Sequence, residues 1–308
     1  MTPETRSGLM YVALSTTGYA MIPIFTKFIY LWSDLEPLDL AVWRFVFAVP
    51  LIWLMASLWS RFVTPPPPRG TLPRWPLLFT GLLIGGAGLA VVAALPYIDA
   101  GVYVVLFFTY PAMTGLLGVL TGHPLPMRGW VALALTTLGV ALTVPSIFTG
   151  GLASTSALGV YIALFNAVLV ALYMIAVGRI TRPYPATIWT AVWSITGVVM
   201  LLGPLLLALG VSVPPSTRVW ALFAGMSLFG TVLPVFGLTM GVRKLGAGRA
   251  AIIGTLEPVL VILLAAGLLD ERLLPIQLLG AICIVGSILI LEVRLPTRRV
   301  QPAAIETT

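Results

Sequence analysis

Apolar runs of about twenty residues or more follow one another along nearly the whole chain, separated by short breaks of charges, glycines and prolines. A helix crossing a hydrocarbon core of about 30 Å needs about 20 such residues. In lipid a backbone must satisfy its own polar groups, so only helices or closed barrels can span, and these runs are too long for barrel strands of about ten residues. The breaks delimit ten runs, at about 8–31, 38–60, 76–95, 100–120, 128–147, 157–178, 185–210, 218–241, 247–268 and 274–292. The least obvious division separates the third from the fourth, where Pro96, Asp99 and Gly101 cannot share one lipid-facing helix. The pattern predicts an all-α polytopic membrane protein of ten transmembrane helices. With 59% hydrophobic residues, 9% charged residues and a mean hydropathy of +1.06, no soluble core would absorb the chain. Ten spans within 308 residues leave no stretch for an appended ATPase, kinase or DNA-binding module. The first run follows a segment with Arg6 as its one basic residue and shows no small-residue cleavage site, so it is expected to be retained and not removed as a signal peptide.

Alternate loops differ in charge, as the positive-inside rule requires of a correct division. With the N-terminus inside, Arg6, Arg61, Arg69, Arg74, Arg128, Arg179, Arg182, Arg243, Lys244, Arg249, Arg294, Arg298 and Arg299 fall on one side, and Arg218 and Arg272 on the other. Asp34, Glu36, Asp39, Asp99, Asp270 and Glu271 join the second side. Both termini are therefore expected in the cytoplasm. The net charge of +7 orients the protein and meets anionic lipid, not nucleic acid.

Sliding the chain by 147 residues lays Ala100, Gly101, Pro111, Leu116, Leu117 and Gly139 over Ala247, Gly248, Pro258, Leu263, Leu264 and Gly286. Equivalent loops carry opposite charge: the acidic first loop corresponds to the basic one at Arg179 and Arg182. An odd number of helices per half makes the halves enter from opposite sides, so the expected arrangement is two inverted five-helix repeats (5+5) around a central cavity. The expected organisation is an N-terminal tail at 1–7, a first repeat at 8–147, a connecting loop at 148–156, a second repeat at 157–292 and a C-terminal tail at 293–308.

In inverted-repeat transporters, paired Gly/Pro-interrupted helices point to the binding site. Pro111 and Pro258 form such a pair, each about eleven residues into its run, or about 16 Å deep at 1.5 Å per residue. Each proline frees the carbonyl four residues earlier, at Phe107 and Gly254, for a cavity; a packing kink is the alternative. Gly85, Gly86, Gly88, Gly115, Gly230, Gly237 and Gly254 accompany them as hinge or gate candidates. Glu257, next to Pro258, is a carboxylate near mid-membrane, where a charge costs about 2.5–3.5 kcal/mol. It either exchanges a proton or caps the kink. Arg44 lies a few residues below the outer surface and needs a partner; pairing with the acidic outer residues is the preferred expectation, and a substrate carboxylate the alternative. Lys27, near the end of the first run, is read as snorkelling to the interface. Tyr19, Tyr103, Thr109, Tyr110, Asn166, Tyr173, Trp189 and Trp193 would complete a mostly apolar pocket with a few polar handles. His123 falls in an inner loop and Cys283 reads as a passive buried thiol. No metal-binding cluster, nucleophile with a base or phosphate loop is visible, so neither a cofactor, a metal nor enzymatic chemistry is expected.

The segment "GTLEPVLVILLAAGLLDERLLPIQLLGAICIVGSILIL" resembles the closing part of EamA-type proteins of the drug/metabolite transporter superfamily through Glu257, Pro258, Glu271, Gln277, Gly280 and Gly286. It departs from the pattern at Leu268, Leu269 and Asp270, where a glycine usually precedes the glutamate. The first half resembles the same domain through Arg44, Pro111 and Gly139, with "TGHPLP" in place of an acidic element. Within the superfamily the chain is most similar to bacterial amino-acid exporters of the YddG type. The resemblance implies an alternating-access exporter of small metabolites, foremost amino acids including aromatic or apolar ones, in the bacterial inner membrane. It would act as a monomer, with a small-molecule substrate, surrounding lipid and a proton as coupling ion. The resemblance also implies that the fifth and tenth runs are peripheral. Drug exporters and nucleotide-sugar or sugar-phosphate exchangers share the fold; a membrane scaffold and a lipid-modifying enzyme are the non-transporter alternatives.

Overall fold

The computed structural model describes residues 3–62, 72–98, 100–120, 122, 125–144, 156–182, 188–269 and 274–292. Asp99, His123, Asp270, Glu271, Arg69, Arg272, Arg294, Arg298 and Arg299 lie outside them. Every regular element among the described residues is helical. In chain order the α-helices are α1 (Pro3–Leu31), α2 (Pro37–Phe62), α3 (Arg74–Ala94), α4 (Ala100–Phe107), α5 (Tyr110–Leu120), α6 (Met127–Thr143), α7 (Ala157–Thr181), α8 (Ile188–Leu209), α9 (Thr217–Ser227), α10 (Leu233–Leu245), α11 (Ala247–Gly254), α12 (Glu257–Leu269) and α13 (Pro275–Glu292). A single 3-10 turn at Leu95–Tyr97 ends α3, where Pro96 stops the helix. Among the described residues seven helical stretches are long and apolar enough to cross a membrane, and three more, at Met127–Thr143, Ile188–Pro204 and Pro275–Ile290, are apolar but shorter.

Three stretches are interrupted at depth. α4 stops at Phe107 and α5 starts at Tyr110, with Pro111 next; α11 stops at Gly254 and α12 starts at Glu257, with Pro258 next. Proline cannot donate to the ladder, so the turn before it must close otherwise. Thr109 and Thr255 bridge the gaps, their hydroxyls donating to the carbonyls of Leu106 (2.6 Å) and Ile252 (2.5 Å). The third interruption, a π-turn at Leu228–Val232 between α9 and α10, carries no such proline at its centre. It is fastened to α2 by Ser227, whose Oγ donates to the carbonyl of Arg44 at 2.7 Å.

The bundle has two unlike ends. At the near end, where α1 begins, Lys244 Nζ donates to Ser7 Oγ (3.0 Å), Arg243 Nε donates to the Thr181 carbonyl (3.1 Å), and Trp189 Nε1 donates to Ser60 Oγ (3.0 Å). These contacts gather the near-end termini of α1, α2, α7, α8 and α10, together with Arg6, Arg61, Arg179 and Arg182. At the far end Asp39 accepts from the amides of Glu36 (2.9 Å) and Ser212 (3.0 Å), and Arg218 stacks on Trp32 at 3.6 Å. The charge difference between loops is thus a difference between ends.

Glycine makes the close crossings possible. A Cβ at Gly81 would strike the Ser194 carbonyl, and one at Gly197 would strike that of Leu78, so α3 and α8 meet nearly backbone to backbone. Beside them the hydroxyls of Thr80 and Ser194 share a 2.7 Å hydrogen bond. α6 and α13 pair the same way: a Cβ at Gly139 would lie 2.8 Å from the Gly280 carbonyl, and Thr136 and Ser287 share a 2.6 Å hydrogen bond. Gln277 Oε1 accepts the Leu274 amide at the start of α13, and its Nε2 donates to the Thr143 carbonyl. The glycines and the glutamine of the resemblance therefore hold α6 to α13.

Candidate functional site

A cavity of about 400 Å³ opens among α1, α2, α3, α4, α5, α7, the π-turn and α10 to α12, and among the described residues none of α6, α8, α9 or α13 lines it, so the seventh run is peripheral as well as the fifth and tenth. Ser15 to Pro23 of α1, Arg44 and Phe45 of α2, Ile84 to Val91 of α3 and Tyr103 to Tyr110 of α4 and α5 place it from mid-depth toward the far end. Below it, toward the near end, packing is tight. Gly237 admits Tyr11 of α1 to within 2.5 Å of where its Cβ would be, and Leu125 wedges against Gly115 and Gly248, 2.8 Å from both positions.

Tyr19, Arg44, Tyr103, Tyr110, Asn166, Tyr173 and Glu257 line this cavity, and Gly88, Gly230 and Gly254 contribute wall. Tyr19 stands within electrostatic reach of Tyr173, Glu257, Arg44 and Tyr110, so the charged and phenolic groups share one neighbourhood. Asn166, fully buried, donates from Nδ2 to the Tyr103 hydroxyl, while its Oδ1 has no hydrogen-bond partner. The Tyr173 hydroxyl lies 3.5 Å from that of Thr239. Tyr110 reaches out of α5 and donates to the Ala251 carbonyl of α11 at 3.2 Å. Its hydroxyl would lie 2.5 Å from a Cβ at Gly254, so the absence of a side chain there makes that approach possible.

Several expectations are corrected. Trp189 and Trp193 do not line the cavity: they pack edge-on against Trp53, at 5.5 and 5.7 Å between centroids, and Arg74 lies 5.1 Å over the Trp193 ring. Both belong to the near-end contact of α2, α3 and α8. Thr109 spends its hydroxyl within the break. Pro111 and Pro258 are buried beside the breaks and are not cavity wall. α3 runs unbroken through Gly85, Gly86 and Gly88, and α10 through Gly237. Gly85 instead seats Val198 of α8, Gly237 seats α1 and Gly115 seats Leu125. Among the described residues Arg44 pairs with none of the acidic outer residues; Asp39 instead accepts from two backbone amides. Cys283 is half-buried, not buried.

The sequence reading missed Ser15, Thr16, Phe45, Phe108 and Thr231, all on the cavity wall. "LSTTGY" was the available signal in α1, a polar cluster inside an apolar run. Thr231 had none, since its exposure to the cavity depends on the π-turn; its buried Oγ1 has no hydrogen-bond partner.

Comparisons with known proteins agree on what this architecture is. The EamA-like transporter family matches the chain twice, over residues 6–144 and 157–293. The chain is 27% identical to the uncharacterized transporter sll1319 of Synechocystis sp. over 81% of its own length and 77% of the relative's. It is 24% identical to the uncharacterized transporter YcbK of Bacillus subtilis over 90% of each chain. It is also 26% identical to the uncharacterized inner membrane transporter YedA of Escherichia coli over 82% and 81%. A solved protein crystal structure shares the fold with a TM-score of 0.75 at 16% identity, covering 93% of this chain and 96% of that one. A polytopic helical chain, matched over both halves and built around a mid-depth cavity, belongs to the EamA-like transporter family within the drug/metabolite transporter superfamily.

Proposed function

We propose that this membrane transporter exports small zwitterionic or moderately apolar metabolites, amino acids foremost, across a bacterial inner membrane by alternating access. The observation that carries the reading is the cavity itself: aromatic and aliphatic walls, with Arg44 and Glu257 as its one cation and one acid among the described residues. A sugar phosphate entering it would leave charge uncompensated after losing water, whereas a zwitterion largely balances itself. In this reading the seven longer stretches and the three shorter helices make ten spans in two inverted repeats of five. α6, with 17 residues, reaches about 26 Å, close to a hydrocarbon thickness. The basic near end faces the cytoplasm, both termini lie inside, and the cavity opens toward the exterior. Glu257 carries the coupling proton and the chain works as a monomer.

Purified protein in liposomes carrying a pH gradient tests this reading directly. Accumulation or counterflow of amino acids is the expected result, and efficient movement of a sugar phosphate with no amino acid would overturn it. For orientation, in a Cys283→Ala background a cysteine at Val213 should label only from outside and one at Glu4 only from inside.

A further inference from the structure

We infer that Arg44 is an anion anchor for the transported solute, and that a single free carboxylate, more than an amine, is the group by which a solute is recognised. The inference rests on the transport reading and deepens it to substrate chemistry. A guanidinium stays charged at any working pH and is costly at this depth unless something answers it. Arg44 lines the cavity, and its buried Nε has no hydrogen-bond partner. Among the described residues no carboxylate lies within ion-pair distance of it. The Phe45 ring lies 4.6 Å from the guanidinium carbon, a contact that orients the cation without neutralising it.

The surroundings are arranged to keep the guanidinium in place and open. The Arg44 carbonyl is tied to Ser227, and that bond holds α2 against the turn carrying Thr231, a cavity-lining residue whose buried hydroxyl has no hydrogen-bond partner. Across from it, the position a Gly88 Cβ would take lies 3.5 Å from Arg44 Nη2, so a methyl there would already touch the guanidinium. A planar fork suits two-point pairing with a carboxylate, with the unpartnered Nε and Thr231 Oγ1 as buried donors beside it. A single cation matches a charge of minus one and leaves a phosphate dianion in excess. The acceptors, Glu257 and Asn166 Oδ1, can receive an ammonium but do not require one, because Glu257 accommodates a proton instead. Tyr103, Phe107 and Phe108 offer their rings to an apolar side chain.

Four probes with one phenyl ring separate these roles: phenylalanine, 3-phenylpropanoate (no amine), phenethylamine (no carboxylate) and phenylalanine methyl ester (carboxylate masked). Binding is read by tryptophan fluorescence and thermal shift on the purified full chain. Phenylalanine and 3-phenylpropanoate should bind, with the amine and the ester at least about tenfold weaker, the scale of one charge-assisted bond of about 1.5–3 kcal/mol. Arg44→Gln should weaken the two carboxylates by about tenfold or more and leave the amine unaffected. Should that variant fail to fold, Arg44→Lys keeps the charge without the fork and should weaken them by a smaller factor. Equal binding of the ester and phenylalanine, undiminished 3-phenylpropanoate binding in Arg44→Gln (or, if that variant does not fold, in Arg44→Lys), or binding of none of the four would overturn the anchor. The two readings fail apart: flux in liposomes without carboxylate selectivity removes the anchor and keeps the carrier, whereas carboxylate binding without flux of any solute does the reverse.

Discussion

The two broken helices share a backbone device and differ in chemistry. In both, a helix ends, a threonine hydroxyl closes the turn, and the next helix starts one residue before a proline. The residue that starts it is Tyr110 in the first break and Glu257 in the second. Tyr110 leaves its own half and braces against the Ala251 carbonyl, one turn before the other break. Glu257 lines the cavity, and among the described residues no hydrogen bond carries it across in the same way. A phenol, neutral at physiological pH, serves as a strut; a carboxyl in the corresponding place can change charge. The same interruption of the ladder thus supports one mechanical contact and one titratable one.

The largest expected effect tests the titratable side. Glu257→Gln keeps shape and hydrogen-bonding capacity and removes the charge change, so pH-driven transport should fall about tenfold or more while equilibrium counterflow survives. Full retention of pH-driven transport would make the two breaks alike, both structural. Next comes the mechanical side: in Gly254→Ala the new methyl competes with the Tyr110 hydroxyl, which must leave Ala251. A loss of about 1–3 kcal/mol, read as a lower melting temperature, is expected from the carbonyl left unpaired and the displaced ring. An unchanged melting temperature would mean that the strut bears no weight.

Pro111→Ala and Pro258→Ala allow the missing ladder bond to form and should stiffen both breaks, slowing exchange several-fold with folding preserved. Equal slowing in the two variants would say that both breaks bend during transport. Slowing in one alone would sharpen the contrast, and unchanged exchange in both would remove bending from the account. The smallest effect belongs to Tyr110→Phe, which deletes only the hydroxyl. A cost of about 1 kcal/mol should shift the balance between the two facing states about fivefold. Labelling of a near-end cysteine would register it as faster modification, and an unaltered rate would count against the strut as a closure of that end.

Much of the fold was legible because membrane spans are written in composition. Run lengths, prolines and charges placed nearly every helix boundary within a few residues, and Pro111 and Pro258 marked where α4 and α11 stop. The site was legible only where chemistry was conspicuous, at Arg44, Asn166, Glu257 and the tyrosines. Trp189 and Trp193 read as cavity aromatics equally well and instead pack against Trp53. Gly85, Gly115 and Gly237 read as hinges, yet they are places where another element comes close.

The sequence by itself determined which segments are helices, how the two ends differ in charge and where two of the three ladder breaks fall, because hydration cost, proline geometry and lipid thickness act on a segment without reference to its neighbours. Only the tertiary structure decided which faces meet. In helices apolar on every side, periodicity carries no facing information, and the rotation of each helix is set by where small residues let backbones touch. That rotation put Gly81 against Ser194, turned the tryptophans out of the cavity and left Arg44 facing it without a carboxylate partner among the described residues.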